Sequence, residues 1–340
     1  MSDVLIRKSG RAGRITLNRP DALNALSWQM CLDIEEALDA WRMDDDVLVV
    51  VVDATGDKAF CAGGDLVEMH VQGTAGNLDY GRRFWTDEYR LNVKIAEYSK
   101  PFVTFLQGFT MGGGVGVGCH GSHRIVGDSS RIAMPEAAIG LMPDVGGTLL
   151  LANGPGRLGE YLGTTGFRMG PADAILATFA DTYIPEVKWL GLIAELENTG
   201  DSACLQGETP PDGKLSAMQS WIDTAFQGAT LGDAMRGFDD NDTKALLARQ
   251  APLAASCAYE AVNRARGLDT VRNAVAMEYR YSHRAVEQGD FIEGIRALII
   301  DKDKSPRWQH ACIEDVTAGD VARMLMPLGA DALSLEETAI

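Results

Sequence analysis

Two glycine-rich turns in this sequence could present backbone N–H groups to a ligand. One contains Gly63 and Gly64, within Phe60–Asp65, and the other contains the run Gly112–Gly114. Each follows an apolar segment typical of a buried strand, and glycine lets a ligand approach the backbone closely. Two such turns can aim two N–H groups at one oxygen, which is the construction of an oxyanion hole. Either alone would be an ordinary tight turn, so the prediction depends on the pair.

Three carboxylates have surroundings that favour chemistry over simple solvation. Glu136 follows Pro135, whose ring restricts the backbone, and Asp144 lies eight residues further on. The residues between these acids are almost entirely apolar, so we expect burial to raise both pKa values and proximity to separate them. Glu88 falls on the apolar stripe of a helix predicted over about 82–98. Such acids suit general acid and base roles.

Each carboxylate also has a purely structural interpretation. Asp144 could cap the N-terminus of a helix that begins near Val145. Glu136 could be an ordinary surface acid. Glu88 could form a salt bridge with a nearby arginine, because a carboxylate on a buried face costs free energy unless it is paired or functional. For Glu88 the structural and functional interpretations are evenly balanced.

The composition narrows the class of protein. The chain has 340 residues, is 46% hydrophobic and carries a net charge of −17, so it can bury a full core but lacks the basic surface that non-specific nucleic-acid binding needs. No apolar run approaches the length of a membrane span, and the N-terminus lacks a secretory signal pattern. The six cysteines show no CxxC spacing, which predicts neither disulfides nor a zinc ribbon. We expect a cytoplasmic protein without a metal.

Local patterns predict the elements that must position these residues. Residues 3–18 read as a β-hairpin, and strands are predicted near 47–53 and 101–107. Ser27 is a predicted N-cap of a helix that ends near Arg42. The alternation of strands and helices predicts an α/β fold.

The pattern changes after the glycine-dense first half. Residues 197–213 are polar and turn-rich, which predicts a long loop or linker. Beyond it the sequence is mostly helical, with helices predicted over 243–250, 256–266 and 270–288.

With these motifs in view, the chain resembles the crotonase (enoyl-CoA hydratase/isomerase) superfamily and, within it, the 3-hydroxyisobutyryl-CoA hydrolase branch. The resemblance covers nearly the whole chain. The glycine motifs are shared across the superfamily, whereas the set of Glu88, Glu136 and Asp144 together with the C-terminal segment is more specific. The matching segments are Leu17–Pro20, Asn24–Leu26, Lys58–Phe60, Ala62–Asp65, Glu88–Asn92, Gly108–Gly114, Met134–Glu136, Pro143–Gly147, Met277–Arg280, Asp290–Gly294 and Asp301–Trp308.

The resemblance implies a fold and a domain organisation. Residues 1–195 would form the crotonase-like core, a spiral of β-β-α turns. Residues 215–340 would form a mainly helical C-terminal region that covers the acyl pocket. Superfamily members are often trimers, so self-association is an open alternative for this chain.

The resemblance also implies roles for individual residues. The N–H groups of Gly64 and Gly113 would bind the thioester carbonyl oxygen. Glu136 would be the base or the nucleophile, while Asp144 and Glu88 would bind the 3-hydroxyl of the substrate or steer proton transfer. Basic residues, Lys58 near the CoA nucleotide and Lys302 in the C-terminal segment, would contact CoA phosphates.

One departure from the family pattern bears on the reaction. Hydratases of the superfamily use two glutamates, and the first corresponds to Gly116 in this sequence. Adding water across a double bond needs both carboxylates, whereas hydrolysis needs one well-placed acid. The leading interpretation is therefore hydrolysis of a small 3-hydroxyacyl-CoA, with 3-hydroxyisobutyryl-CoA from valine breakdown as the substrate. CoA would be a leaving group rather than a cofactor. An enoyl-CoA hydratase or isomerase and an inactive CoA-binding scaffold are the alternatives.

Overall fold

The chain forms two units, each assembled from three separate segments, and the computed structural model describes residues 2–335. The first, called the sheet unit here, consists of Met1–Gly64, Leu91–Ala133 and Arg168–Ser216. The second, called the helical unit, consists of Asp65–Arg90, Met134–Phe167 and Ala217–Ile340. The division into 1–195 and 215–340 that the sequence suggests remains a prediction.

The strands of the sheet unit form two sheets. They are β1 (Val4–Ser9), β2 (Ala12–Leu17), β3 (Val49–Ala54), β4 (Ala59–Cys61), β5 (Phe102–Leu106), β6 (Phe109–Met111), β7 (His123–Val126), β8 (Arg131–Ala133) and β9 (Thr182–Tyr183). The larger sheet has the order β1-β2-β3-β5-β7-β9 and the smaller one β4-β6-β8. β1 and β2 are antiparallel, which confirms the predicted hairpin, and the other neighbouring strands are parallel.

Helices connect these strands and make up most of the helical unit. They are α1 (Trp28–Arg42), α2 (Leu66–Thr74), α3 (Leu78–Ala96), α4 (Gly113–Gly118), α5 (Gly147–Asn153), α6 (Leu158–Thr165), α7 (Pro171–Leu176), α8 (Trp189–Thr199), α9 (Leu215–Ala225), α10 (Leu231–Met235), α11 (Asn241–Leu247), α12 (Pro252–Ala265), α13 (Val271–Gln288), α14 (Phe291–Ile295) and α15 (Ala318–Leu325). Within residues 2–335, no helix is long and apolar enough to cross a membrane.

The helices and strands lie close to the positions that local sequence signals predict. Ser27 caps α1 by accepting a hydrogen bond from the N–H of Met30, as predicted. The predicted strands correspond to β3 and β5, and the predicted helix over 82–98 corresponds to α3, which begins earlier, at Leu78. The predicted loop begins later than expected, because α8 continues to Thr199 before its C-terminus at Gly200. The helices predicted beyond the loop correspond to α11, α12 and α13.

The core of the sheet unit lies between the larger sheet and α8. Trp189, at the start of α8, is 8% exposed, and its ring lies 5.2 Å from that of Phe105 on β5. Its indole N–H donates to the carbonyl oxygen of Ile184 over 2.9 Å, so the polar edge of the ring is satisfied within the core. The cluster comprises Ala12, Val49, Val51, Val103, Phe105, Ile125, Ile184, Trp189, Ile193 and Leu196.

The helical unit is organised around α12. This helix contacts α5, α6 and α15, and its buried face is rich in alanine. Small residues let the helices approach closely: a Cβ at Gly159 on α6 would lie 2.1 Å from the carbonyl oxygen of Leu151 on α5. α13 contacts α5 and α15 from another side. These contacts fix the positions of α5 and α13, which both flank the carboxylates described below.

We predict that Trp189→Ala destabilises the protein. The substitution removes a large buried ring and one hydrogen bond, so the free energy of unfolding should fall by about 3–5 kcal/mol. Denaturant unfolding followed by circular dichroism measures the change. The neighbouring Leu190 is 84% exposed, so Leu190→Ala is the matched control and should change stability by less than about 0.5 kcal/mol. Equal stability of the two variants would contradict this description of the core.

Candidate active site

The two glycine turns lie side by side in the sheet unit. Gly64 follows β4, and Gly113 follows β6 as the first residue of α4. Because β4 and β6 are neighbouring parallel strands, the turns at their carboxyl ends share one edge of the smaller sheet. The turns touch: a Cβ at Gly114 would lie 2.2 Å from the carbonyl oxygen of Cys61. The fold thus brings together the two residues that the sequence nominated as oxyanion-hole donors.

The backbone of these turns requires glycine. Gly63 has a φ of +118° and Gly112 a φ of +50°, both in the region that residues with a side chain rarely adopt. Lys58, the predicted nucleotide-binding residue, precedes β4 and is exposed. Its carbonyl oxygen accepts a hydrogen bond from the N–H of Phe109 on β6, so its main chain is fixed although its side chain lies at the surface.

The three predicted carboxylates all lie buried in the helical unit. Glu88 is on α3, Glu136 is the first residue of the 3₁₀ turn Glu136–Ile139, and Asp144 lies in the loop before α5. They are 3%, 5% and 4% exposed, respectively. The charge of Asp144 raises the pKa values of both glutamates, as expected for like charges that share a site. The sequence interpretation of Glu136 as an ordinary surface acid is therefore wrong.

Glu136 is buried in the helical unit. Its Oε2 is buried and has no hydrogen-bond partner among the described residues. Burial raises the pKa of Glu136 well above its usual value, and the nearby charges of Asp144, Glu278 and Glu88 raise it further. A buried acid with an unsatisfied oxygen is costly for folding, which is typical of a group kept for chemistry.

Asp144 accepts a hydrogen bond from a residue that the sequence analysis did not nominate. The hydroxyl of Tyr89 donates to Asp144 Oδ2 over 2.7 Å. Burial raises the pKa of Asp144 to about 7, while the hydrogen bond from Tyr89 lowers it. The interpretation of Asp144 as a helix N-cap is wrong, because α5 begins at Gly147 and another carboxylate accepts from its first N–H groups.

Glu88 has no salt bridge within residues 2–335, so the structural interpretation that the sequence left open for it does not hold. Its Oε1 is buried and has no hydrogen-bond partner in that range. Burial raises the pKa of Glu88 well above its usual value, and the charge of Asp144 adds to the effect. Glu88 therefore resembles Glu136 as a buried acid with one oxygen that has no hydrogen-bond partner among residues 2–335.

Glu278 is a fourth buried carboxylate, and the sequence analysis did not nominate it as a candidate. It lies on α13 and accepts hydrogen bonds from the N–H of Gly146 over 2.7 Å and from the N–H of Thr148 over 2.9 Å. The hydroxyl of Thr148 also donates to it over 2.5 Å. Burial raises its pKa to about 7, and these three hydrogen bonds lower it. Glu278 therefore fixes the loop between Asp144 and α5.

The loop between Asp144 and α5 is strained, which explains why it needs the hydrogen bonds to Glu278. Val145, directly after Asp144, has a φ of +53°. A β-branched residue in the left-handed region is an outlier that costs on the order of 1–3 kcal/mol and persists only where its surroundings enforce it. Tyr89 and Glu278 lie within motifs that match the superfamily, but no local pattern reveals what a tyrosine or glutamate contacts across the fold.

The arrangement in the helical unit can donate and accept protons near neutral pH. Four buried carboxyl groups lie together, and no lysine or arginine among residues 2–335 pairs with any of them. Like charges in such surroundings do not all ionise together, so neighbouring acids take different protonation states. Among the same residues, no group of three or more histidine, cysteine, aspartate or glutamate side chains is arranged to hold a metal ion.

Comparison with known proteins places the chain in a family. Residues 12–325 match the enoyl-CoA hydratase/isomerase family. The mitochondrial 3-hydroxyisobutyryl-CoA hydrolase of Gallus gallus is 35% identical over 353 residues, which cover 98% of this chain and 91% of the relative.

Two solved structures are also similar. The enoyl-CoA hydratase from Rhodobacter sphaeroides is 52% identical, with a TM-score of 0.94 and coverage of 98% of this chain and 100% of that chain. A carnitinyl-CoA dehydratase from Mycobacterium thermoresistibile is 39% identical, with a TM-score of 0.93 and coverage of 99% of both chains.

The chain belongs to the enoyl-CoA hydratase/isomerase family and has the crotonase fold. The resemblance to that superfamily, with its α/β fold, is thereby confirmed. The comparisons do not test the roles of Gly64, Gly113, Glu88, Glu136, Asp144 or Lys58, which remain predictions supported by the geometry above.

We predict that Asp144 makes the stability of the protein depend on pH. Its pKa of about 7 in the folded state exceeds the value of about 4 for unfolded aspartate, so the folded state binds more protons between these values. This contribution to stability is complete below the unfolded pKa and is lost as the pH rises through the folded pKa. Asp144→Asn should reduce this slope and raise the free energy of unfolding at about pH 8 by up to about 4 kcal/mol.

Urea unfolding across this pH range measures the effect. Asp212 is exposed, and Asp212→Asn serves as the matched control, which should retain the slope of the parent protein. An Asp144→Asn variant with the parent's pH dependence would show that Asp144 does not titrate as a buried acid.

Proposed function

We propose that this protein hydrolyses 3-hydroxyisobutyryl-CoA to 3-hydroxyisobutyrate and CoA, as in valine catabolism and branched-chain amino acid degradation. The observation that carries the proposal is the distribution of carboxylates. Glu136 is buried with an unpartnered Oε2, whereas α4, with the sequence GGVGVG, holds no carboxylate at all. One well-placed base suits hydrolysis, and the name of the Gallus gallus relative supports the same reaction.

The proposed chemistry assigns each residue one task. The N–H groups of Gly64 and Gly113 bind the carbonyl oxygen of the thioester and stabilise the negative charge that develops on it. Glu136 either removes a proton from water as the water attacks the carbonyl carbon, or attacks that carbon itself. When water attacks, the carbon–sulfur bond breaks, the acid is released directly, and the thiolate of CoA leaves and takes up a proton. When Glu136 attacks, the same bond breaks and the acyl group remains on Glu136 as an anhydride. Water then attacks the anhydride, which releases the acid and restores the carboxylate of Glu136. Asp144 and Glu88 bind the 3-hydroxyl group or steer the proton that the thiolate takes up.

The remaining elements of the proposal concern ligands and location. CoA is part of the substrate, and no cofactor or metal takes part. Lys58 and Lys302 contact the CoA phosphates, and exposed Lys302 adopts a left-handed φ of +56°. The cytoplasmic location is supported by the six cysteines, which are scattered without CxxC spacing, although the named hydrolase relative is mitochondrial. Apart from acyl-CoA no partner is proposed, and self-association stays open.

A second candidate function is hydration of an enoyl-CoA. The similar structure from Rhodobacter sphaeroides is that of an enoyl-CoA hydratase, which is 52% identical to this chain. Against hydration stands Gly116, which lies at the position of the first hydratase glutamate and is fully buried. An inactive CoA-binding scaffold is disfavoured by the retention of unpaired buried acids, because these cost stability without a catalytic return.

We predict that Glu136→Gln abolishes most thioesterase activity. The substitution keeps the shape of the side chain but removes the ionisable oxygen, so kcat should fall by about 10²–10⁴. A thiol reagent that detects free CoA measures turnover with 3-hydroxyisobutyryl-CoA. Glu314→Gln, an exposed glutamate in the same unit, is the control and should retain full activity. A folded Glu136→Gln variant with near parental turnover removes Glu136 from the mechanism.

We predict that the enzyme distinguishes substrates by their 3-hydroxyl group. Buried polar groups arranged for a hydroxyl are left unpaired by an analogue that lacks it, and such discrimination can reach about 10⁴. The values of kcat/KM for 3-hydroxyisobutyryl-CoA and isobutyryl-CoA measure this preference in one preparation. Crotonyl-CoA in the same preparation tests hydration, which should be slow. Rapid hydration of crotonyl-CoA would favour the hydratase, and release of no CoA from any thioester would favour the scaffold.

A further inference from the structure

The hydroxyl of Tyr89 contacts Asp144 inside the helical unit. Tyr89 lies on α3 next to Glu88 and is fully buried, at 0% exposed. Its hydroxyl oxygen is 2.7 Å from Asp144 Oδ2 and 2.6 Å from Ser282 Oγ on α13. The three polar groups thus form a short chain that joins two helices to the loop before α5.

When Asp144 is ionised, the chemistry of these groups fixes the direction of both hydrogen bonds. An ionised carboxylate can only accept, and a phenol has a single hydrogen to give. Tyr89 therefore donates to Asp144, and Ser282 donates to the oxygen of Tyr89. The competing acceptor for Ser282 is the carbonyl oxygen of Glu278, which at 3.4 Å is much further away. Tyr89 therefore accepts a hydrogen bond from Ser282 and donates one to Asp144.

We propose that Tyr89, held by Ser282, is a positioning residue that fixes Asp144 to receive the 3-hydroxyl group of the substrate. The proposal rests on the proposed function, which assigns that contact to Asp144. With Oδ2 bound by the phenol, the carboxyl group of Asp144 cannot rotate without losing a buried hydrogen bond. The substrate hydroxyl therefore meets an acceptor whose orientation is already set, which is the condition for strong discrimination.

The hydrogen bond from Tyr89 affects the charge of Asp144 because Asp144 lies among other acids. Asp144 is surrounded by Glu88 on α3, Glu136 on its 3₁₀ turn and Glu278 on α13, and its charge raises the pKa values of all three. Interactions between charges are mutual, so these acids also disfavour the charge of Asp144. Burial raises the pKa of Asp144, and the hydrogen bond from Tyr89 opposes this rise. The hydroxyl of Tyr89 thus stabilises the charged form of Asp144, as a cation would in a salt bridge.

Tyr89→Phe tests the proposal, because it removes the hydroxyl and keeps the buried ring. Loss of the donor should raise the pKa of Asp144, so the acidic limb of the kcat/KM profile should move to higher pH by about one unit. The preference for 3-hydroxyisobutyryl-CoA over isobutyryl-CoA should fall by about tenfold. Ser282→Ala should shift both quantities in the same direction by a smaller amount, and it provides the test if Tyr89→Phe does not fold.

Tyr279→Phe is the matched control. Tyr279 packs edge-on against Tyr89, with ring centres 6.2 Å apart, but its hydroxyl contacts Thr86 and the carbonyl oxygen of Arg82. Its removal should leave both the profile and the substrate preference unchanged. A purely structural role for Tyr89 would lower stability without moving either quantity. A folded Tyr89→Phe variant with the parent's acidic limb and the parent's preference overturns the proposal.

A measurement without substrate separates this proposal from the proposed function. Carbon-13 NMR of labelled aspartate carboxyl groups, with Asp144 assigned through Asp144→Asn, follows the titration of Asp144 in the free protein. Its midpoint should lie at higher pH in Tyr89→Phe than in the parent. An unchanged midpoint overturns the positioning role even if the protein is a hydrolase. A shifted midpoint in a protein that cleaves no thioester upholds the Tyr89–Asp144 contact and refutes the hydrolase function.

Discussion

The burial of four carboxyl groups that pair with no lysine or arginine among residues 2–335 is the constraint on which the site depends. Glu88, Glu136, Asp144 and Glu278 lie in the interior of the helical unit, and each is disfavoured there as a charged group. A salt bridge would stabilise them but would also hold them ionised. The protein instead uses hydrogen bonds for two of the four and leaves an oxygen of each of the other two unpaired. Asp144 and Glu278, whose pKa values burial raises to about 7, therefore keep access to both protonation states near neutral pH.

The two hydrogen-bonded acids, Glu278 and Asp144, have different roles in the structure. Glu278 accepts three hydrogen bonds from the loop before α5 and so stabilises a backbone that Val145 strains. Asp144 accepts from Tyr89 and is the group whose position that strained loop determines. One buried carboxylate is thus part of the scaffold that orients another. Strain of this kind is tolerated where the surrounding contacts over-determine the conformation.

In the sheet unit the constraint is steric rather than electrostatic. The turns after β4 and β6 approach so closely that a side chain at Gly114 would collide with the backbone of Cys61. Gly63 and Gly112 adopt conformations that other residues rarely reach. The sequence therefore has glycine where the two turns approach each other most closely. The chain belongs to a family, and its named relatives carry out different reactions, so the fold alone does not decide the reaction.

The sequence by itself determined the local features of this protein. Ser27 marked the start of α1, alternating patterns marked the hairpin and strands, and the glycines and the apolar surroundings of Glu136 and Asp144 marked the site. These signals are readable because caps, turns and periodicity involve residues a few positions apart. Only the tertiary structure decided that Asp144 is not a helix cap, that Glu88 has no arginine partner in the described part of the chain, and that Glu278 and Tyr89 support the site. Those contacts join residues 55 to 132 positions apart, and they exist only once α3, α5 and α13 have packed together.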